Sequence, residues 1–203
     1  MKNKRFLQNK RRPYSERQVN KREIRQRFLI VCEGKKTEPN YFGKFRGPFV
    51  ILNIHGAGCN TLSLVEEAVE WAMEDEYDQI WCVFDRDSFS ADIFNRALQL
   101  AERKGFHVAY SNEAFELWYI LHLEYLTSAL TRKDYIKKLS KLLGHPYQKD
   151  SETIFDELEN YQDTAIKNAR KLLQSHSSYN PYDNTPSTTV HLLVEQLNKF
   201  KAT

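Results

Sequence analysis

Between residues 27 and 110 the chain alternates four short apolar runs with three stretches patterned for helices, and this alternation restricts the fold more than any other feature. The runs are 27–32, 49–54 (Phe49-Val50-Ile51-Leu52-Asn53-Ile54), 79–84 and 105–110. In a parallel α/β sheet such runs are strands buried on both faces. Between them, 37–45 is a short helix pattern. Residues 60–74 place Leu64, Val65, Ala68, Val69 and Ala72 at helical spacing, and 89–103 repeat it with Ile93, Ala97, Leu98, Leu100 and Ala101. A β-α-β-α-β-α-β series implies right-handed crossovers, and hence an α/β fold with a mostly parallel four-stranded sheet flanked by helices.

Beyond Ser111 the pattern turns helical. Glu113 to Leu126 has a broad apolar face, with Ser111 or Asn112 as its cap, and Asp134 to Leu143 is closed by Gly144 with Pro146 just beyond. A third, broken helix spans 152–174. Residues 175–186 are dense in turn formers, and 187–199 form an amphipathic helix with Ser187 at its N-cap. At 203 residues the chain can bury a real core. It divides into a basic flexible arm at 1–26, an α/β domain at 27–126 and a helical extension at 127–203.

The net charge of +3 conceals an asymmetry, because residues 1–27 carry +9 and the rest of the chain −6. With few apolar residues before Ile24, that segment buries too little surface to offset its ordering entropy. It is either an arm drawn to phosphates or a solvated terminus. No run approaches 18 consecutive apolar residues, and no apolar stretch follows the basic N-terminus as in a signal peptide. Cys32, Cys59 and Cys82 lack zinc-site spacing. A cytoplasmic protein with free thiols and no membrane association is expected.

Acidic residues follow two of the apolar runs. Glu33 and Gly34 end the first, while Asp85 and Asp87 end the third, at the carboxyl edge where parallel sheets keep their sites. Mg²⁺ and Mn²⁺ take oxygen ligands, and a few carboxylates with open water positions suit phosphoryl-transfer chemistry. A bare Asp-x-Asp is better explained by a helix cap, with Asp87 or Ser88 capping the helix that starts near Phe89, or by a surface turn with an ion pair inside Asp85-Arg86-Asp87. The glutamate at the end of a second strand shifts the balance toward a metal site. Asn112, Glu113 and Glu116 follow the fourth run and reach the same edge. Glu113 and Glu116 either assist the metal site or favour the positive end of their helix. Trp118, Tyr119 and His122 are read as packing residues. Lys35 and Lys36 either steer a phosphodiester or are solvated, and Lys167, Arg170 and Lys171 are weaker candidates of the same kind. His55-Gly56-Ala57-Gly58 is a tight turn with only a loose likeness to a phosphate loop.

The segments Val31–Phe42, Phe84–Phe89, Ser111–His122 and Thr185–His191 together resemble the RloB family of prokaryotic Toprim-domain proteins, from about residue 25 to the C-terminus. The resemblance implies a Toprim-like sheet in which Glu33, Asp85 and Asp87 bind divalent metal. It also implies a role in anti-phage defence with an ATPase partner. One departure stands out: related nucleases place one residue fewer between the glutamate and the next acid than Glu33-Gly34-Lys35-Lys36-Thr37-Glu38 does. Glu38 is therefore either a further ligand or a residue that steadies the start of a helix, with Pro39.

The function expected from these residues is a metal-dependent nuclease that cleaves DNA or RNA with Mg²⁺ or Mn²⁺. Glu33, Asp85 and Asp87 hold the metal and Glu38, Glu113 or Glu116 assist. The alternative is a non-catalytic nucleic-acid-binding or regulatory subunit that retains the acidic site. A small-molecule phosphotransferase ranks third, because the chain offers no strong phosphate loop.

Overall fold

The first strand, β1 (Gln26–Cys32), sends Phe28, Ile30 and Cys32 to one face and Leu29 and Val31 to the other, and all five are fully buried. A strand buried on both sides must lie inside a sheet covered by helices on both faces. The computed structural model, which describes residues 25–86 and 90–200, shows such a sheet. It adds β2 (Val50–Gly56), β3 (Gln79–Asp85), β4 (His107–Asn112) and β5 (Ser187–Thr188) in the order β2-β1-β3-β4-β5. The first four strands are parallel and β5 runs antiparallel to β4. The sheet thus has five strands rather than four. The extra one is cut from the start of the last expected helix, which begins only at Val190.

The chemistry of Ser187-Thr188-Thr189 explains that difference. The Thr189 hydroxyl accepts from the Tyr110 N–H at 2.9 Å, and the Thr188 hydroxyl donates to the Tyr110 carbonyl at 3.0 Å. Short hydroxyl side chains that bond a neighbouring backbone favour extended structure over helix, and here they cover the edge of β4. Ser187 therefore caps nothing.

Helices α1 (Thr37–Phe42), α2 (Thr61–Trp71) and α3 (Ala91–Arg103) connect the parallel strands. The α2 cap is Asn60, and the α3 cap is Ser90, which accepts from the Ile93 N–H at 3.4 Å. Then come α4 (Glu116–Leu123), α5 (Arg132–Leu143), α6 (Ile154–Leu158), a 3-10 turn at Glu159–Tyr161, α7 (Gln162–Gln174) and α8 (Val190–Asn198). The break expected in 152–174 is that 3-10 turn, and Gly144 closes α5 at φ 77°, as its place in the sequence suggests. The α4 helix starts three residues later than expected. Asn112 does not cap it, because its amide donates to the carbonyls of Pro181, Tyr182 and Asn184 at 3.2, 2.8 and 3.2 Å. Ser111 instead pairs with the Thr188 hydroxyl at 3.1 Å.

Two cores result. Leu29, Val31, Cys82 and Phe84 pack with α2 and α3, while Phe28, Ile30, Trp81 and Val83 pack with α1, α4, α5, α7 and α8. Helices from beyond residue 127 thus share a core with the sheet. No helix among the described residues is long and apolar enough to cross a membrane, and all three cysteines are free. The basic segment at 1–24, and Asp87 with Ser88 and Phe89, lie outside the described residues.

The strand order sets the site. From β1 the chain goes outward to β2 and then returns past β1 to β3, so the connections after β1 and β3 leave in opposite directions. A crevice opens between the carboxyl ends of those two strands, where open α/β sheets bind ligands.

Candidate functional site

Glu33 follows β1 and Asp85 ends β3, on adjacent strands paired Cys32 to Val83. The Glu33 N–H donates to the Val83 carbonyl at 2.9 Å, and the Asp85 N–H donates to Glu33 Oε2 at 3.1 Å. Period-two alternation puts Asp85 on the same side of the sheet as Val83, which is the α4 side. There the cleft between the strand ends, about 610 Å³, takes in Glu33, Glu38, Asp85 and Glu116 together with Lys35, Lys36, Arg132 and Lys149. Glu113 precedes α4 and does not line this cleft, so the two glutamates three apart do not share a helix face.

The turn after β1 brings Glu38 inward. A Cβ at Gly34 would collide with the Glu38 carboxylate, so any larger residue there displaces that side chain, while the Gly34 backbone is not left-handed. At Gly56 a Cβ would stand 2.7 Å from Lys35 Cα and 2.8 Å from the Gly34 carbonyl oxygen. These are backbone atoms that cannot rotate away. Gly56→Ala is expected to push the Gly34–Lys35 turn off β2 and to lower stability by about 1–3 kcal/mol, the range for overpacking. Urea midpoints of wild type and variant measure this, and an unchanged midpoint would show that the turn moves freely.

The carboxylates are crowded and dry. Glu38 is 5% exposed, Asp85 8% and Glu116 2%. Burial first, then the nearby Glu116 and Glu33 charges, raise the Glu38 pKa to about 7. Burial and Glu38 likewise hold the Asp85 carboxyl well above the usual range, opposed by the Arg132 guanidinium, whose Nη2 lies 3.0 Å from Asp85 Oδ2. Lys149 Nζ stands 3.7 Å from Glu116 Oε1. Glu38 Oε2 is buried without a hydrogen-bond partner. Glu38 is therefore a member of the acidic group and not merely a surface residue facing a helix dipole.

Arg132 and Lys149 come from the helical region after the sheet, and sequence reasoning missed both. Thr131 accepts from the Asp134 N–H and so fixes Arg132 as the first residue of α5. The stretch after α5 is tied to α1, with the Thr37 hydroxyl donating to the Lys149 carbonyl at 2.8 Å and the Asn40 amide to the Asp150 carbonyl at 3.2 Å. Of the basic residues singled out earlier, Lys35 and Lys36 line the cleft. Arg170 pairs with Glu195 at 2.9 Å, Lys171 lies over the Tyr125 ring at 4.1 Å, and Lys167 is likewise outside the cleft. Trp118, Tyr119 and His122 are buried, as a packing role requires. The His122 Nδ1–H donates to the Trp118 carbonyl at 2.9 Å, and burial pushes the imidazole pKa down to about 4.

Among the described residues, no group of three or more His, Cys, Asp or Glu side chains is arranged to hold a metal ion as it stands. Asp85 and Glu116 each have a basic partner instead, Arg132 and Lys149. Oxygen donors of this kind are nevertheless what hard divalent cations take.

Residues 28–197 match the family model described as RloB-like protein. Neither the curated proteins nor the solved structures contain a significant match to the chain.

Proposed function

The chain belongs to the RloB-like family, and from that premise we propose that it is a Toprim-like, metal-dependent nuclease that cleaves phosphodiester bonds in DNA or RNA. The observation that carries this reading is the buried Glu38 carboxylate, whose Oε2 lacks a hydrogen-bond partner and packs against Gly34, in a cleft that Glu33, Asp85 and Glu116 also line. Holding such a group in place costs stability, and functional sites are where that cost is met. Oxygen donors of this chemistry suit Mg²⁺ or Mn²⁺, which Glu33, Asp85 and Glu38 would hold with Glu116 beside them and Asp87 two residues after Asp85. Such a cation supplies polarisation of the phosphate and a more acidic water.

The chain's own residues do the rest. The hydrogen bond from the Asp85 backbone to Glu33 fixes the two strand ends relative to each other. Lys35 and Lys36 at the mouth draw the phosphate backbone in, and the basic residues 1–27 add sequence-independent affinity that falls with salt. Arg132 and Lys149 bring positive charge to the reacting phosphate. The setting follows from the resemblance: an effector of anti-phage defence that works with an ATPase partner.

A second reading has one observation in its favour, because Arg132 and Lys149 already neutralise two of the carboxylates. A non-catalytic nucleic-acid-binding subunit needs no more. Incubation with single-stranded DNA, duplex DNA and tRNA, in Mg²⁺, Mn²⁺ or EDTA, separates the two. Cleavage of at least one substrate with metal and none in EDTA is expected. Binding without cleavage under every metal would establish the second reading instead.

A further inference from the structure

Arg132 occupies a position that a metal site would ordinarily leave to the metal. Its guanidinium lies 3.0 Å from Asp85 Oδ2 and forms an ion pair with it, in a cleft where Glu38 Oε2 has no partner. Asp85 is almost fully buried, whereas the Arg132 side chain is 32% exposed and enters from the first turn of α5. One end of this pair is fixed by the sheet, and the other is a side chain with solvent beside it.

We infer that Arg132 makes metal and phosphate binding mutually dependent, by repelling a divalent cation at Asp85 until an anion enters to share the guanidinium. The inference rests on the proposed metal site. A divalent cation held by Asp85 must share that carboxylate with a fixed positive charge, and at short range in a partly dry cleft the repulsion is large. A tetrahedral anion placed between the two reverses the sign, because guanidinium forks bind such oxygens in pairs. Metal alone then binds weakly, and metal with phosphate binds well. Cation and substrate enter the site together.

A simpler role for Arg132 predicts the opposite sign. If the guanidinium only orients Asp85, its loss weakens metal binding by about 10–100-fold, as loss of the outer hydrogen bonds to a metal ligand does. If it repels the metal, its loss strengthens binding by roughly 10-fold or more. Lys149 serves as an internal comparison, because its contact with Glu116 is longer at 3.7 Å and its side chain is 46% exposed.

The experiment titrates Mn²⁺ into the full chain without nucleic acid, followed by the electron-spin signal of free Mn²⁺. It is run with and without sulfate, a tetrahedral anion that leaves Mn²⁺ in solution. In wild type, sulfate is expected to tighten Mn²⁺ binding by about 10-fold. Arg132→Gln binds Mn²⁺ more tightly than wild type in the absence of sulfate and loses most of the sulfate effect. Arg132→Lys, which keeps the charge, stays near wild type, and Lys149→Gln shifts affinity less than Arg132→Gln. Weaker Mn²⁺ binding by Arg132→Gln, with Arg132→Lys intact, overturns the inference and leaves the metal site standing. Absence of Mn²⁺ binding in wild type and both Arg132 variants, with or without sulfate, overturns the metal site itself.

Discussion

Asp85→Asn is expected to lower metal-dependent cleavage by about 10³-fold or more while leaving the protein folded. Asparagine fills the same space at the end of β3 and preserves the backbone N–H that donates to Glu33. It removes the negative charge that Arg132 faces and that any cation in the cleft must use. The substitution also relieves charge crowding, since Asp85 is buried beside Glu38 and Glu116. Thermal unfolding should therefore show no loss of stability beyond what loss of the Asp85–Arg132 ion pair costs, and the defect must lie in chemistry. Glu113→Gln provides the contrast: Glu113 stands outside the cleft, and its rate should remain within about 3-fold of wild type, the range of surface substitutions away from a site. Initial rates at saturating Mn²⁺ on the best substrate of the panel decide it. Full activity in Asp85→Asn would remove the nuclease reading.

How much of this site could be read from the residues depends on how locally each was determined. Glu33 and Asp85 were legible because strand length, period two and the carboxyl-edge rule are all local properties of parallel sheets. Glu38 was legible only as an ambiguity. Its burial depends on the missing Cβ of Gly34 and on the approach of Gly56 to the Gly34–Lys35 turn, and neither is visible before the turn is folded. The pairing of Glu113 with Glu116 assumed a helix that starts at 113. Asn112 is held by three carbonyls of the 181–184 loop, the helix starts at Glu116, and one glutamate enters the cleft without the other. Arg132 lies 47 residues from its carboxylate partner, and a basic residue at a helix start carries no signal of where it will dock. The fifth strand was hidden for a different reason: two residues are too few for any periodicity, and only their pairing with β4, through backbone and hydroxyl bonds, defines it.

Glu38→Gln should separate the stability of this protein from its activity, with a sign set by pH. The folded chain raises the Glu38 pKa from 4.5 to about 7, so it keeps a proton that the unfolded chain releases across that window. The stability that Glu38 contributes is then fully present below about pH 4.5 and is lost as pH rises through 7, a total of roughly 3 kcal/mol. Asp85, raised for the same reason, adds to the loss. His122 tilts the other way, because its depressed pKa of about 4 removes stability as pH falls from 6.5. The two slopes overlap, so wild type alone reports little and the difference between wild type and variant is the quantity to measure. Without metal, Glu38→Gln is expected to match wild type near pH 5 and to exceed it by about 1–3 kcal/mol at pH 8, where wild type must bury the charge. Mn²⁺ should stabilise wild type at pH 8 and the variant much less, since binding to the folded state alone raises its stability. Urea titrations at the two pH values, with and without Mn²⁺, provide all four numbers. A variant that differs from wild type by the same amount at pH 5 and pH 8 would show that the Glu38 carboxylate is not held dry against its neighbours. A more stable variant that no longer cleaves would identify the strain at Glu38 as part of what the site needs in order to take up its cation.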